Sequence, residues 1–152
     1  MAEGLIAQLT SRLHGIAKSV AEDKHSRIYV EVPRDSLLEA AKILKTEYDG
    51  YHITTITVLD SGENFEVLYH IVAGEKLVTL RVFLPRNDPS VESLTPILPG
   101  AILYERELND IMGIRVKNHP DMRRILLPDS WGDKGYPLRK DWVDPRTKKG
   151  GA

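Results

Sequence analysis

The chain contains no cysteine. Disulfides, thiolate zinc sites and iron–sulfur clusters ligated by this polypeptide are thereby excluded, because cysteine sulfur holds all three. Long apolar runs are also missing. The uninterrupted stretches reach only a few residues, against the roughly 18 to 20 that a membrane-spanning helix needs, so membrane association is expected only through partners. The opening residues Met1 to Ile6 lack the basic start and apolar centre of a signal peptide, and the expectation is a protein that stays in the cytoplasm. Amide side chains are scarce as well, with one Gln and four Asn, a composition compatible with a thermophilic source. Neither a G-x-S-x-G nor an H-E-x-x-H pattern occurs, and no dinucleotide-type glycine cluster follows a strand-like run, which argues against a stand-alone hydrolase or a nicotinamide enzyme. The five histidines include no pair at helical metal-binding spacing.

With 41% hydrophobic and 28% charged residues in 152, the chain has the profile of one globular unit able to bury a real core. Its net charge of −1 is unevenly spread. Residues 1–114 carry 11 basic and 17 acidic side chains, a balance of −6, and residues 115–152 carry 10 basic and 5 acidic, a balance of +5. A basic tail can mark nucleic-acid binding. Here Asp121, Asp129, Asp133, Asp141 and Asp144 interleave with the bases, so protein contacts are expected and nucleic acid is not.

Hydrophobic spacing predicts the elements. Leu5, Leu9, Leu13, Ile16 and Val20 share one face of a helix over residues 4–21. Arg27 to Val32 alternates as a strand ended by Pro33. Leu37, Ala41, Leu44 and Tyr48 define a second helix stopped near Gly50, with Asp35 and Ser36 in its first turn. Three strands follow, His52 to Asp60, Asn64 to Val72 and Lys76 to Leu84. The short turns Ser61-Gly62-Glu63 and Ala73-Gly74-Glu75 between them imply an antiparallel meander. Pro85 to Pro99 reads as a connecting loop with one helical turn near Ser93, and Pro99 opens a third helix that Gly113 closes. The expected fold is α+β, helices on a mainly antiparallel sheet, with an extended irregular C-terminal tail. The expected division is an α+β domain over 1–112 and a partner-binding segment over 113–152. The last five residues, Lys148 to Ala152, are expected to fray.

One run has no packing period. It reads Glu105-Arg106-Glu107, then Asp110 and Gly113-Ile114; then His119-Pro120-Asp121 and Arg123-Arg124; then Pro137-Leu138-Arg139-Lys140-Asp141, about 37 residues in all. These three blocks, in this order, closely resemble the signature of the thirty-kilodalton (C) subunit family of respiratory complex I, which also includes peripheral subunits of membrane-bound hydrogenases. Asn109 stands where many members carry an aromatic residue, and Met112 where many carry Phe. With the short chain, this is more similar to the corresponding subunits of archaeal membrane-bound hydrogenase and sulfane reductase complexes.

The resemblance implies a structural subunit without cofactor, not catalytic alone, in the cytoplasmic peripheral arm of a membrane-bound oxidoreductase. Its implied partners are a hydrogenase-large-subunit-like protein, a small subunit with the proximal iron–sulfur cluster and other peripheral-arm subunits. The implied interface comprises Glu105, Arg106, Glu107, Asp110, His119, Arg123, Arg124, Trp131, Leu138, Arg139, Lys140, Asp141 and Trp142.

The residues also allow plainer readings. Arg106 and Asp110, four apart, face each other on a helix and could be a solvated pair. His119 reads as a turn histidine that fixes its loop by hydrogen bonds. Arg123 and Arg124 could bind an oxyanion or pair with Glu105 or Glu107. Trp131 and Trp142, with Leu126 and Leu127, read as anchors pinning the tail.

Overall fold

A computed structural model describes residues 2–149, so the fraying expected of Lys148 to Ala152 falls largely outside them. The elements run α1 (Ala2–Arg12), β1 (Ser19–Glu22), β2 (Ile28–Glu31), α2 (Leu37–Glu47), β3 (His52–Asp60), β4 (Asn64–Ala73), β5 (Lys76–Pro85), β6 (Ser90–Glu92), α3 (Ile102–Met112) and β7 (Arg115–Lys117). Short 3-10 turns precede α2 and α3 and recur at Asp129–Trp131 and Pro145–Lys149.

The sheet order is β1-β2-β5-β4-β3. All neighbours are antiparallel except β2 and β5. The parallel pair arises because the chain leaves β2, crosses through α2, and returns to the sheet as the β3-β4-β5 meander, whose last strand lands beside β2. The α+β expectation holds. In β4, Phe65, Val67, Tyr69, Ile71 and Ala73 are buried and the residues between them are not, the period-2 pattern of a sheet with one face on the core. They pack with Val78, Leu80, Val82 and Leu84 of β5 and with Leu9, Leu13, Leu37, Ala41 and Leu44 from the helical side. Burying a large aliphatic or aromatic side chain in this way contributes about 1.5 to 3 kcal/mol.

The first helix is shorter than its spacing predicts. It ends at Arg12, and Gly15 takes a left-handed φ of 83°, so the chain turns and residues 19–22 become an edge strand in which Val20 pairs with Val30. Apolar residues at helical intervals thus continue past the real end: Leu9 and Leu13 serve the core from α1 and its turn, and Val20 does so from a strand. The second correction lies in the proline-rich connection. It holds the expected turn, closed by Leu98 N–H donating to Leu94 O at 2.7 Å. It also holds β6, which pairs in parallel with β7, a ladder of three residues a side that no local pattern announces.

Candidate functional site

The signature converges on α3. This helix turns Leu108, Ile111 and Met112 to the core and ends where Gly113 adopts φ 68°. Gly113 N–H donates to Asn109 O at 3.0 Å, Ile114 N–H to Leu108 O at 3.3 Å, and Asn109 Nδ2 to Ile114 O at 3.1 Å. The first two satisfy carbonyls that a helix end leaves open. A side chain at Gly113 would be strained, and its Cβ would fall 2.6 Å from Arg139 Nη2 and against the Tyr136 ring. The glycine is therefore needed twice, for the turn and for the tail that crosses it.

Four clasps fasten the segment after Gly113 to its own chain. In the first, His119 sits in the turn after β7, its side chain fully buried. Nε2 lies 3.0 Å from Ile102 O, and Nδ1 accepts the Asp121 N–H at 3.0 Å. An acceptor at Nδ1 fixes the neutral tautomer with its proton on Nε2. The histidine secures its loop, as a turn residue should. In the second clasp, Asp110 accepts N–H bonds from Ile125, Leu126 and Leu127 at 3.2, 2.8 and 2.8 Å, with Arg124 Nη1 at 3.4 Å. Burial alone would raise its carboxyl; the three N–H donors and Arg124 outweigh that and hold it below the ordinary carboxylate range.

In the third clasp, Arg106 donates to the carbonyls of Arg123 and Arg124 at 2.8 and 2.9 Å. The i,i+4 spacing does put Arg106 and Asp110 on one helix face, yet both spend their charge on the tail: the acid takes its N–H groups and the guanidinium gives to its C=O groups. Because these are main-chain groups, the clasp does not read the side chains of the segment it holds. Arg123 and Arg124 accordingly do not reach Glu105 or Glu107. Arg123 pairs with Asp121 at 2.7 Å and Arg124 with Asp110.

The Pro137 to Asp141 block forms the fourth. Leu138 N–H donates to Ile111 O at 3.3 Å, Arg139 Nε to Met112 O at 2.7 Å and Lys140 N–H to Asp60 Oδ2 at 2.9 Å. Asp60, at the end of β3, also holds Arg86 in a two-pronged pair at 2.8 and 3.1 Å. The Arg86 guanidinium, the Lys140 and Gly62 N–H groups and the pair's attraction press its carboxyl well below the usual range. Arg86 reaches Asp141 as well, at 2.8 Å. Arg86 and Arg139 each lie 4.9 Å from the centroid of Phe65, and Arg139 lies 4.6 Å from that of Tyr136. Two guanidinium groups thus rest on one buried ring.

The expected interface residues consequently divide. Glu105, Asp110, His119 and the polar end of Arg139 are turned inward and used within the chain. Trp131 and Trp142 stack on each other at 5.7 Å and donate to Gly135 O and Lys134 O at 2.8 and 2.7 Å, a local knot in the tail. Glu107 is half-buried on α3. Facing solvent are Arg123, Lys140, Asp141 and a set of apolar side chains: Leu59, Ile125, Leu126, Leu138 and Val143. Asp60, Phe65, Arg86 and Tyr136 escaped the sequence reading. The Asp60-Ser61-Gly62 turn was legible, since Asp60 Oδ1 accepts the Gly62 N–H at 2.9 Å, but nothing local connects it to a backbone N–H 80 positions on. Among the described residues, no group of three His, Cys, Asp or Glu side chains is placed to hold a metal, and no helix is long and apolar enough to cross a membrane.

Residues 30–148 match the family described as respiratory-chain NADH dehydrogenase, 30 Kd subunit. The chain belongs to that family. It is similar to the C subunit of NADH-quinone oxidoreductase from Moorella thermoacetica, 39% identical over 115 residues covering 73% of this chain and 76% of that protein. It is also similar to formate hydrogenlyase subunit 5 of Escherichia coli, 31% identical over 94% of this chain but only 26% of that longer protein. In fold it resembles a chain of the membrane-bound sulfane sulfur reductase, an archaeal respiratory membrane complex, with a TM-score of 0.82, 22% identity, and coverage of 97% of this chain and 88% of the other.

Proposed function

We propose that this protein is a cofactor-free structural subunit in the peripheral arm of a complex I-like membrane-bound oxidoreductase, on the cytoplasmic side and attached to the membrane only through the complex. It is not catalytic alone. It holds a hydrogenase-large-subunit-like protein and a small subunit with the proximal iron–sulfur cluster in register with other peripheral-arm subunits, so that electron transfer coupled to ion pumping can proceed. The observation that carries this reading is the division of the signature. Charged residues lash the tail to α3 and β3 through its backbone, and the side chains left outside include, beside Arg123, Lys140 and Asp141, large apolar ones: Leu126 is 57% exposed and Leu138 61%. A backbone pinned flat with large aliphatic side chains outward is pre-organised for a partner, because its ordering entropy has already been lost. Segment 113–152 is then the partner-binding part, and its stretch from His119 to Asp141 acts as a fastened rail rather than a loose arm.

The 39% identity to the C subunit of a quinone oxidoreductase favours a second reading within the same class, a component of a quinone-reducing or other-acceptor complex. The two share the test. Leu126→Asp with Leu138→Asp should abolish co-purification of a co-expressed large subunit and leave the melting temperature of the free chain unchanged. Full recovery of the large subunit would remove this surface from the interface.

A further inference from the structure

Glu105 is buried completely and, among the described residues, has neither lysine nor arginine as a partner. Its Oε1 accepts the Leu94 N–H at 2.6 Å, and its Oε2 lies 2.6 Å from Ser93 Oγ. Ser93 Oγ in turn lies 2.7 Å from Thr95 Oγ1 and accepts the Thr95 N–H at 3.1 Å. Two titratable groups face the carboxyl. One is Tyr69 of β4, whose buried hydroxyl has no hydrogen-bond partner among the described residues. The other is His119, with Nε2 at 3.7 Å from Oε2. Residues 93–98 carry no titratable side chain, Asp121 is engaged by Arg123, and Arg106 by the tail carbonyls.

His119 cannot neutralise this carboxylate without loss. A second proton would have to enter at Nδ1, where the Asp121 N–H already points, and two donors would then face each other in a buried turn. The hydroxyl pair has no such restriction. With Glu105 ionised, Thr95 donates to Ser93 and Ser93 to the carboxylate. With Glu105 protonated, the chain reverses: Glu105 donates to Ser93, Ser93 to Thr95, and the Thr95 hydrogen turns outward. Both states keep every bond in the row. Thr95 is only half-buried, so the row leads from a closed site toward water.

We propose that Glu105 is a proton-binding site, loaded and unloaded along Ser93 and Thr95, in which the proton sits on the carboxyl and His119 stays neutral. One proton enters at Thr95 Oγ1, the Thr95 hydrogen passes to Ser93 Oγ, and the Ser93 hydrogen passes to Glu105 Oε2. No other bond changes. Burial pushes the Glu105 carboxyl up, against the lowering effect of the Ser93 hydroxyl and the Leu94 N–H, in keeping with a group that holds its proton. The inference rests on geometry inside this chain and does not depend on the assembly role above.

The test is a pH titration of the full chain labelled with carbon-13 at its glutamate carboxyl carbons and followed by NMR, with the Glu105 signal assigned by its loss in Glu105→Gln. The expected midpoint lies above that of a free glutamate, about 4.3. Thr95→Val should lower it, since the protonated state then leaves the Ser93 hydrogen without an acceptor. Ser93→Ala should raise it, since the carboxylate loses a donor. Opposite shifts are the mark of a reversible hydroxyl row. A wild-type midpoint at or below the free value, or shifts of one sign in both variants, would overturn the proposal, and the wild-type titration decides even where a variant fails to fold.

Discussion

Strand β4 pairs along its whole length with β5 on one side and from Phe65 to Val72 with β3 on the other, and alternate side chains vanish into the core. From Asn118 to Trp142 nearly the reverse is found. Ladder pairing is absent among these residues, few side chains are buried, and main-chain groups are satisfied by charged side chains of the body: Asp110, Arg106 and Asp60. The body is held by hydrophobic burial and its backbone bonds to itself. The tail is held by a few charge-assisted hydrogen bonds, each stronger than a neutral one but each dependent on a single residue. Two regions of one molecule therefore fail differently. The body resists single changes outside its core, and the tail can be released one clasp at a time.

The largest effect should come from a core residue that also supports the tail. Phe65→Ala removes a fully buried ring and with it the surface on which Arg86 and Arg139 rest. Chemical denaturation should show a loss of about 3 to 5 kcal/mol, and body and tail should lose order together. An unchanged tail in this variant would dissolve the link. Asp110→Ala should separate the regions. Three backbone N–H groups lose a charged acceptor, and amides 125–127 should exchange roughly a hundredfold faster, as about 3 kcal/mol of hydrogen bonding is removed, while β4 and β5 amides keep their protection. Equal acceleration in both would make the tail an integral part of the fold.

Gly113→Ala is expected to cost about 1 to 2 kcal/mol, from the left-handed backbone and the displaced Tyr136 and Arg139, read as a lower melting temperature. Acid should act next. Asp60 and Asp110 have folded-state carboxyls below their unfolded values, so their contribution is present above the unfolded value of about 3.9 and lost as pH falls through the folded one. Glu105 works in the opposite direction: its raised carboxyl favours the folded state in acid, and that contribution is lost as pH rises through the folded value. Tryptophan fluorescence from Trp131 and Trp142 should therefore change below about pH 4 before far-ultraviolet circular dichroism does. Simultaneous transitions would argue against clasps that release separately. The smallest effect belongs to Arg123→Ala, since its side chain is 81% exposed and its partner Asp121 is a near neighbour. Its melting temperature should not move, and a clear drop would reveal a hidden contact.

The sequence by itself determined the meander, α2, α3 and the helix stop at Gly113, because alternation, helical spacing, prolines and glycines act over a few residues and their consequences are local. It also determined the family, since three spaced blocks of charge, glycine and proline have no packing explanation. His119 as a turn residue was legible for the same reason: its partner N–H lies two positions away. Only the tertiary structure decided that Val20 sits in a strand and not in a helix, because Gly15 breaks the chain direction while the apolar period runs on unbroken. It alone decided that β6 meets β7, and that Arg106 and Asp110 hold the tail and not each other. A carboxylate and a guanidinium one helical turn apart suit a mutual pair and a backbone clasp equally well. The choice rests on whether a stretch of main chain is brought between them, and the folding of distant residues supplies that stretch.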